Sequence, residues 1–532
     1  MNKVAAYLNE HVAGEVLTAD AALSAAQTDG SVLLRRPEMV VRVSNVNDIR
    51  KIMRFCSQLA EKGHVMPVSV RGHGTDTTGA ATGTGIMIEL APYMNRVAGL
   101  DVKQRLIHVQ AGISLAAVEA VLSTHKGLGL PTGSTVRPQG TVGGAIGSGI
   151  AGWQAGRCAP FGQAVQQLEV VLSNGEVLQT GRLSKRELHK KKGLANFEGE
   201  IYRQVDNLIT DNAELLAQLD PEVPETAGYA GIAKVKRRDG SFDLTPLFIG
   251  AQGGLGIISE VILKADFVRP EVTAVVAAYG AVEDAQAAAE IAVQLPAASV
   301  DIVDGRLFER AAQGGKKLSW APKKAFRGAV LLVVFDDFSV RTRTKLAKKL
   351  IKRLPGEPLE TEVMTMELSE EQGIYAAVSL AAQPAAPQMA VPATFSGLWL
   401  PANRMSVVRA ELKRLEKEFS TELPYVMSLK SGFVDILPLF STNRVSDRQK
   451  LLKLLAELTG IVMAHGGTMA GRGGDGRLKA GMIRARLSDE ERQLHDDIKH
   501  IFDPSGLFSP GSKHDVEAKQ LVAEVNAWCR AA

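Results

Sequence analysis

Cysteine is scarce in this sequence, and its placement excludes several kinds of site. The 532 residues include only three cysteines, Cys56, Cys158 and Cys529. Because they lie far apart, no pair has the short spacing of zinc or iron–sulfur ligands, so we expect no such cluster within the chain. Sparse, widely separated cysteines are also typical of a reducing compartment, which predicts a cytoplasmic location.

Long hydrophobic runs are missing as well. No apolar stretch approaches the roughly 18 residues that a membrane-spanning helix needs. The longest candidate, at 329–335, is typical of a buried strand. Residues 1–17 predict a short amphipathic helix without the continuous apolar core and cleavage site of a signal peptide. The sequence therefore predicts neither a membrane span nor a signal peptide.

Positive and negative charges nearly balance in this sequence. The net charge is only +4, whereas nucleic-acid binding requires clustered lysine and arginine. The one tight cluster, Lys190 to Lys192, is more readily explained as a solvated loop or helix face than as a phosphate-binding patch. We therefore expect no nucleic-acid partner.

What the sequence does contain indicates an α+β fold with more than one domain. With 45% hydrophobic residues, the chain can build large cores. Short β-type runs dominate its first half, interrupted by helices at 46–61 and 115–124. Helices and strands alternate in the second half, where an Ala/Pro-rich stretch at 380–395 predicts an extended loop. A last helix should end at Asp503-Pro504, because proline disfavours a helical residue before it.

These patterns divide the chain into four sections, and we expect the third to lie over the second. The sections are an N-terminal helical segment at 1–35, a glycine-rich domain at 36–266, an α+β cap at 267–467 and a C-terminal return at 468–532.

Three glycine-rich segments carry the functional argument. They are PVSVRGHGTDTTGA at 67–80, a long run at 130–162, and GAQGGLGIISEV at 250–261. Glycines leave backbone N–H groups uncovered and permit positive φ, so the first segment can form an anion-binding nest or simply a tight turn. The third leads from a turn into an apolar run typical of a core strand.

A dinucleotide-binding motif is the alternative for the second segment. Residues 147–152, GSGIAG, match the G-x-G-x-x-G pattern. A Rossmann site needs an apolar strand before the motif and an uninterrupted helix after it. Here RPQGTVGGAI precedes it, and Gly156, Pro160 and Gly162 follow. The context therefore disfavours an NAD-dependent Rossmann enzyme and favours a small-residue loop lying along a cofactor.

Taken together, the three segments resemble the FAD-binding domain of the vanillyl-alcohol-oxidase-type flavoproteins. The likeness is closest to their FAD-linked D-lactate dehydrogenase and glycolate oxidase branch. RGHGT resembles the family's R-G-x-G-T phosphate loop. TVGGA, followed later by LEVVLSNGEVL, resembles the family's G-T-x-G-G run and the L-E-V-V-L-x-x-G-E-V-L run that follows it. GAQGGLGIISE resembles G-x-x-G-x-L-G-I-I-T-E, and IKHIFDPSGLFSPGSK resembles the family's closing motif. The resemblance spans about residues 36–513.

The resemblance implies a two-subdomain PCMH-type FAD-binding domain, an α+β cap and a C-terminal helical return that completes the flavin site. It implies that backbone amides at 71–76 and 141–144 hold the pyrophosphate, and that Ile258 lies near the adenine or ribose. The implied cofactor-binding residues are Arg71, Gly72, His73, Gly74, Thr75, Asp76, Gly133, Ser134, Thr141, Val142, Gly143, Gly144, Ser148, Gly149 and Ile258. Relatives with covalent flavin often place a histidine where this chain has Thr75, so non-covalent FAD is expected, with His73 as the alternative anchor.

The substrate side departs from the family. Relatives often carry H-x-G-D-G-N-x-H in the cap and E-H-G near the end, whose side chains bind a metal or orient the substrate. The corresponding stretches here are YVMSLKSGFVDILP at 425–438 and HGGTMAGRGGDGRLK at 465–479. Aligned on Gly466-Gly467, the usual glutamate falls at Arg472. We therefore expect no metal site. The candidate catalytic residues are Arg472, Lys430, Tyr425, Arg404 and His465.

Two functional hypotheses follow. The first is an FAD-dependent oxidoreductase of a small anionic substrate that passes electrons to oxygen, a quinone or a partner protein. The second is a flavin-binding subunit that has lost catalysis and acts in assembly or electron transfer. The missing histidines favour the second, and the intact FAD segments favour the first. A homo-oligomer is compatible with either.

Overall fold

The computed structural model describes residues 3–125, 127–130, 140–151, 161–219, 223–269, 271–313, 328–367 and 389–531. Gly133, Ser134, Cys158 and most of the predicted loop at 380–395 lie outside these ranges. Mixed helix and sheet run throughout, which confirms the α+β class.

The first subdomain is a four-stranded sheet flanked by helices. Its strand order is β1-β2-β4-β3, with β4 parallel to both β2 and β3 and β1 antiparallel to β2. The elements are α1 Lys3–His11, β1 Glu15–Leu17, α2 Asp20–Ala26, β2 Met39–Arg42, α3 Val46–Glu61, β3 Val68–Arg71 and β4 Ile86–Glu89. Helix α3 has the predicted bounds. The helix expected over 1–17 is confirmed only in α1, since the chain then turns into β1.

Helix α3 shows why the sequence folds in this way. The Asn45 side chain accepts hydrogen bonds from the amides of Asn47 and Asp48, which caps the helix N-terminus. Ile49, Ile52, Met53 and Cys56 recur at helical spacing and are fully buried. One face of α3 therefore packs on the sheet that ends in the first glycine-rich segment.

The second subdomain is a five-stranded antiparallel sheet in the order β5-β6-β10-β8-β9. Its strands are β5 Val97–Asp101, β6 Leu106–Gln110, β8 Val165–Val171, β9 Val177–Gln179 and β10 Ile257–Lys264, and β7 Leu128–Gly129 pairs separately with β11 Asp266–Phe267. Its helices are α4 Leu115–Ser123, α5 Val142–Ser148, α6 Lys185–Lys192, α7 Phe197–Asp211, α8 Ala213–Gln218 and α9 Thr245–Phe248. The third glycine-rich segment thus leads into the central strand, as predicted.

The cap is a seven-stranded antiparallel sheet with most of its helices on one face. The helix Gly305–Gln313 packs its Leu307 on the other face. The strand order of the sheet is β15-β12-β14-β13-β18-β19-β17. The strands are β12 Glu271–Tyr279, β13 Ser299–Asp304, β14 Ala329–Phe335, β15 Glu360–Glu367, β17 Leu398–Trp399, β18 Tyr425–Ser428 and β19 Phe433–Ile436, while β16 Met389–Ala390 pairs with β20 Phe440–Ser441. The helices are α10 Val282–Val293, α11 Gly305–Gln313, α12 Val340–Ile351, α13 Met405–Phe419 and α14 Val445–Ala464.

The C-terminal return joins the two halves. It contains α15 Ala480–Arg484, α16 Asp489–Phe502 and α17 Ala518–Ala531. Helix α16 ends at Phe502, next to the predicted stop, and its Ile498 and Phe502 lie in the core of the first half. Helix α17 contributes Leu521 and Val525 to the cap core. The four-section division stays a prediction, and its last section does not form a core of its own.

Candidate functional site

A cavity of about 540 Å³ lies between the first half of the chain and the cap. All three glycine-rich segments line it, the cap contributes Gly397 and Asp435 to its wall, and the C-terminal return contributes Arg472. Its volume is within the range of about 300–1,000 Å³ that is usual for small-molecule sites.

The first segment forms an anion-binding loop directly after β3. Gly74 has a φ of +65°, and a Cβ there would lie 1.6 Å from Nη2 of Arg71. The amides of Gly74, Asp76 and Thr77 donate to no acceptor in the described part of the chain. Backbone N–H groups that face a cavity without acceptors suit a phosphate, because they satisfy an anion without a bulky side chain. His73 and Thr75 lie on the same wall.

Arg71 supports this loop from behind. Its Nη1 donates to the carbonyls of Ala26 and Thr28, at 2.9 and 3.1 Å. The guanidinium therefore holds the loop against the N-terminal segment, and the side chain at Gly74 must be absent to leave room for it.

Asp76 connects the loop to the third glycine-rich segment through hydrogen bonds. Its Oδ1 accepts from the Thr78 amide at 2.7 Å and its Oδ2 from Nε2 of Gln252 at 3.0 Å. Oε1 of the Gln252 side chain in turn accepts from the Gly476 amide at 2.9 Å. Burial, with the nearby Asp76 carboxylate, raises the pKa of Asp29 to about 7. Gln252 was not among the predicted site residues, because it stands among glycines and belongs to no motif of its own.

The amides at the start of the second described segment bond within the chain. Val142 and Gly143 donate their amides to the carbonyls of Ile113 and Ala111, at 2.9 and 2.8 Å, and the Gly144 amide donates to the Thr141 hydroxyl at 3.1 Å. Within the described chain these amides have acceptors in a neighbouring backbone segment and in the Thr141 side chain. Their role in holding the pyrophosphate stays a prediction, which this bonding does not support.

The same segment still forms part of the cavity wall. Thr141, Gly143, Gly144 and Ser148 line the cavity, whereas Val142 is fully buried in the core beneath it. Gly149, predicted with them, is not a wall residue; it ends α5 with a φ of +61°. GSGIAG therefore begins at the end of a helix rather than in a strand-to-helix turn, which excludes the Rossmann arrangement there. Ile258 lies on the wall at the start of β10.

A buried ion pair forms the cap side of the cavity. Nη2 of Arg472 lies 2.6 Å from Oδ2 of Asp435, and both side chains are at most 7% exposed. Nη1 of Arg472 donates to the Ala151 carbonyl at 3.2 Å, and the guanidinium lies 5.0 Å from the Phe433 ring centre. Oδ1 of Asp435 accepts from the Gly397 amide at 2.6 Å. Both charged groups are therefore fixed in orientation.

Lys479 lies behind this pair and was not among the predicted site residues. Its Nζ donates to the carbonyls of Ser396 and Met469, both at 3.0 Å. Burial lowers the pKa of Lys479 to about 8, opposed by the negative charge of Asp435. Since Ser396 lines the cavity, Lys479 places a second positive charge close to its wall at neutral pH.

Four other predicted catalytic residues lie away from this cavity. Tyr425 faces the helix-covered side of the cap sheet, and Lys430 lies in the turn between β18 and β19. Arg404 is exposed in a short 3-10 turn, and His465 caps the C-terminus of α14. None of them lines the cavity, so only Arg472 of the five is part of it. Their catalytic role stays a prediction that their placement does not support.

No group of three or more metal-ligating side chains is present among the residues that the structure describes. In the same residues, no helix is long and apolar enough to cross a bilayer.

Comparison with known families identifies the class of protein. Residues 37–181 match the model of the FAD binding domain, and residues 269–512 match the model of the C-terminal domain of FAD linked oxidases. The chain therefore contains an FAD-binding domain and the C-terminal domain of FAD linked oxidases, and FAD is its cofactor. The loop amides and glycine cradle described above fit that cofactor.

Individual relatives are distant. The glycolate oxidase subunit GlcD of Bacillus subtilis is 25% identical over 509 residues, covering 92% of this chain and 91% of that protein. D-2-hydroxyglutarate dehydrogenase of Pseudomonas putida is 27% identical over 259 residues, covering 48% of this chain but only 25% of that protein. The chain thus matches about a quarter of the length of the second relative and nearly all of the first.

A solved structure shares the whole fold. The 4-ethylphenol oxidase from Gulosibacter chungangensis, solved as an isoeugenol complex, superposes with a TM-score of 0.67 over 97% of both chains, at 16% identity. At that identity the likeness shows the fold alone, and it confirms the vanillyl-alcohol-oxidase-type architecture expected from the sequence.

Proposed function

We propose that this chain oxidises a small carboxylate of the 2-hydroxy-acid type with FAD and without a bound divalent metal. The observation that carries the proposal is the Arg472–Asp435 pair on the cavity wall. The segments at 425–438 and 465–479 are those that carry the histidine and glutamate motifs in the related branch. Here they meet through an ion pair of 2.6 Å instead. A guanidinium in place of a metal ligand repels a cation and attracts an anion.

The charges around the wall support an anionic substrate. Arg472 and Lys479 contribute two positive charges at neutral pH, and Asp435 balances one of them. Both cations are buried, so solvent screens them weakly. In this proposal Arg472 binds the substrate carboxylate, and its bonds to Asp435 and the Ala151 carbonyl keep the guanidinium in a fixed orientation.

The positions of Asp435 and of the loop at 72–77 suggest their roles in the proposed reaction. Asp435 is the carboxylate on the wall beside Arg472, and we assign it the orientation of the substrate hydroxyl and acceptance of its proton. When bound, FAD supplies the acceptor for the hydride equivalent. The loop at 72–77 holds the phosphates through its amides, and dissociable FAD is part of the proposal because Thr75 stands at the usual covalent position.

A flavin-binding subunit without catalysis is the second candidate. The absence of the branch's histidines from 425–438 favours it, and the relative GlcD is named as a subunit. The electron acceptor in the first candidate is oxygen, a quinone or a partner protein. A cytoplasmic location and a homo-oligomer belong to the proposal in either form.

An anaerobic substrate screen separates the two candidates. The FAD-loaded protein is mixed with D-2-hydroxy acids, and flavin absorbance is followed in the wild type and in Arg472→Met. Arg404→Met is the matched control, since Arg404 is an exposed arginine away from the cavity. A catalyst bleaches with at least one acid, more slowly or at higher concentration in Arg472→Met only. No bleaching with any acid supports the non-catalytic subunit.

A further inference from the structure

A second cavity lies on the opposite face of the cap sheet. It has a volume of about 400 Å³ and opens between α10 and α13. Ile302, Tyr425 and Met427 of the sheet form its floor, and Val293 and Met405 stand on the two helices. Strand alternation separates it from the flavin cavity: Tyr425 and Met427 face the helices, whereas Asp435, on the paired strand β19, faces the flavin side.

The hydroxyl of Tyr425 is the first sign that this cavity accepts a ligand. Tyr425 is 4% exposed. Its hydroxyl makes no hydrogen bond within the ranges that the structure describes. The Tyr425 hydroxyl is not among the fully buried polar atoms that lack a partner, so it is open to the cavity that Tyr425 lines. A tyrosine hydroxyl in this position can donate a hydrogen bond to a ligand in the cavity.

Arg409 provides charge at the same place. It projects from α13 into the cavity wall, and its side chain is 12% exposed. Its one ion pair with an acidic residue of the described chain is long, 3.5 Å from Nη2 to Glu283, a residue that is 63% exposed. Glu290, the acidic residue of the cavity lining, is exposed on α10, where Gln286 donates to it. A largely buried guanidinium whose counter-ion is solvent-exposed and only weakly hydrogen-bonded to it suits an incoming carboxylate.

We propose that this cavity is a second small-molecule site, for a monocarboxylate with an apolar body. Arg409 and the Tyr425 hydroxyl bind the carboxylate, and the apolar body lies against Ile302, Met405 and Met427. The volume suits a ligand of drug-fragment size. Because a β-sheet separates the two cavities, binding here does not compete with flavin or with a substrate at Arg472.

The test uses 3-phenylpropanoate on the FAD-loaded protein, with two signals recorded in one titration. Heat reports all binding, and the flavin spectrum reports binding in the flavin cavity. We expect part of the binding heat to appear without any change in the flavin spectrum. The neutral alcohol 3-phenylpropanol should lack this component, because it carries no charge for Arg409.

Variants test whether the spectrally silent component, meaning the binding heat that leaves the flavin spectrum unchanged, comes from this second cavity. Arg409→Met should weaken it by about tenfold or more, as expected for loss of a charge-assisted hydrogen bond. Val293→Trp should abolish it by filling the cavity from a half-buried helix position. Arg414→Met, at an exposed position of the same helix, should leave it unchanged. Flavin content and the thermal midpoint show that each variant is folded. The proposal is overturned if all heat tracks the flavin spectrum, if no heat is seen, or if the silent component survives in folded Val293→Trp.

Discussion

Removing either member of the Arg472–Asp435 pair should destabilise the cap more than removing both. The two groups are 2.6 Å apart and at most 7% exposed, so each is stranded in a poorly solvated site when the other is lost. Breaking a buried pair in this way typically costs about 3–5 kcal/mol. Arg472→Met also loses the bond to the Ala151 carbonyl and the contact with the Phe433 ring. We therefore expect it to be at least as harmful as Asp435→Asn.

The double variant provides the decisive comparison. Because no unpaired charge remains, the double variant should lose less stability than either single variant, so its loss should fall short of the sum of the single losses by about 3 kcal/mol or more. Urea unfolding of the FAD-loaded proteins, followed by intrinsic fluorescence, measures the three midpoints. Arg414→Met, in an exposed pair, is the control and should change little. Strictly additive losses would refute the view that the pair is a coupled, desolvated unit.

Binding should behave differently from stability in these variants. In the proposed function Arg472 provides the charge that attracts the substrate, so the double variant should regain stability without regaining affinity. Oxalate, a non-oxidisable dianion, can be titrated against the flavin spectrum. Recovery of oxalate affinity in the double variant would mean that Arg472 is structural only.

Three further predictions concern the cofactor loop. Gly74→Ala should abolish FAD binding, because its Cβ would fall 1.6 Å from the Arg71 guanidinium; full flavin content in the purified variant would contradict this. Acid precipitation should release the flavin to the supernatant, and flavin retained in the pellet of the wild type but lost in His73→Ala would show a covalent link instead. The pKa of Asp29 is raised from 3.8 to about 7 in the folded protein, so the folded state holds this proton more tightly, and Asp29 should make stability fall as the pH rises towards 7. Asp29→Asn should flatten that fall in a series of thermal midpoints, and an unchanged slope would show that Asp29 does not titrate in this range.

The sequence predicted the elements with strong periodicity and the loops with distinctive residues. Helix α3 follows from apolar residues at helical spacing, and strand β14 follows from an uninterrupted apolar run. The loop after β3 follows from glycines in a family motif. These features depend on local sequence, so pattern alone is sufficient to find them.

Single polar residues in the site were harder to predict because only tertiary packing gives them a role. Lys479 carries no motif, and its position depends on carbonyls supplied by two distant segments. Asp435 stands in an apolar run, and strand alternation from Val434 and Ile436 could have placed it on the opposite face from the cap core. The same alternation, with β18 paired to β19, turns Tyr425 away from the flavin cavity.

The amides of α5 show what a family motif alone does not reveal. The resemblance predicted them as phosphate donors, but they bond to the chain around Ala111 and Ile113. Sequence reveals that an amide is uncovered by side chains, but it does not reveal whether another part of the backbone has already satisfied it.

The most direct test of the account is anaerobic flavin reduction after exhaustive EDTA treatment. A D-2-hydroxy acid that bleaches the flavin before treatment should bleach it at the same rate afterwards, and added zinc or manganese should not accelerate it. The Arg472→Met protein should need a much higher acid concentration under the same conditions. Loss of bleaching with EDTA and its recovery with a divalent metal would contradict the proposal that the Arg472–Asp435 pair stands in place of a metal site.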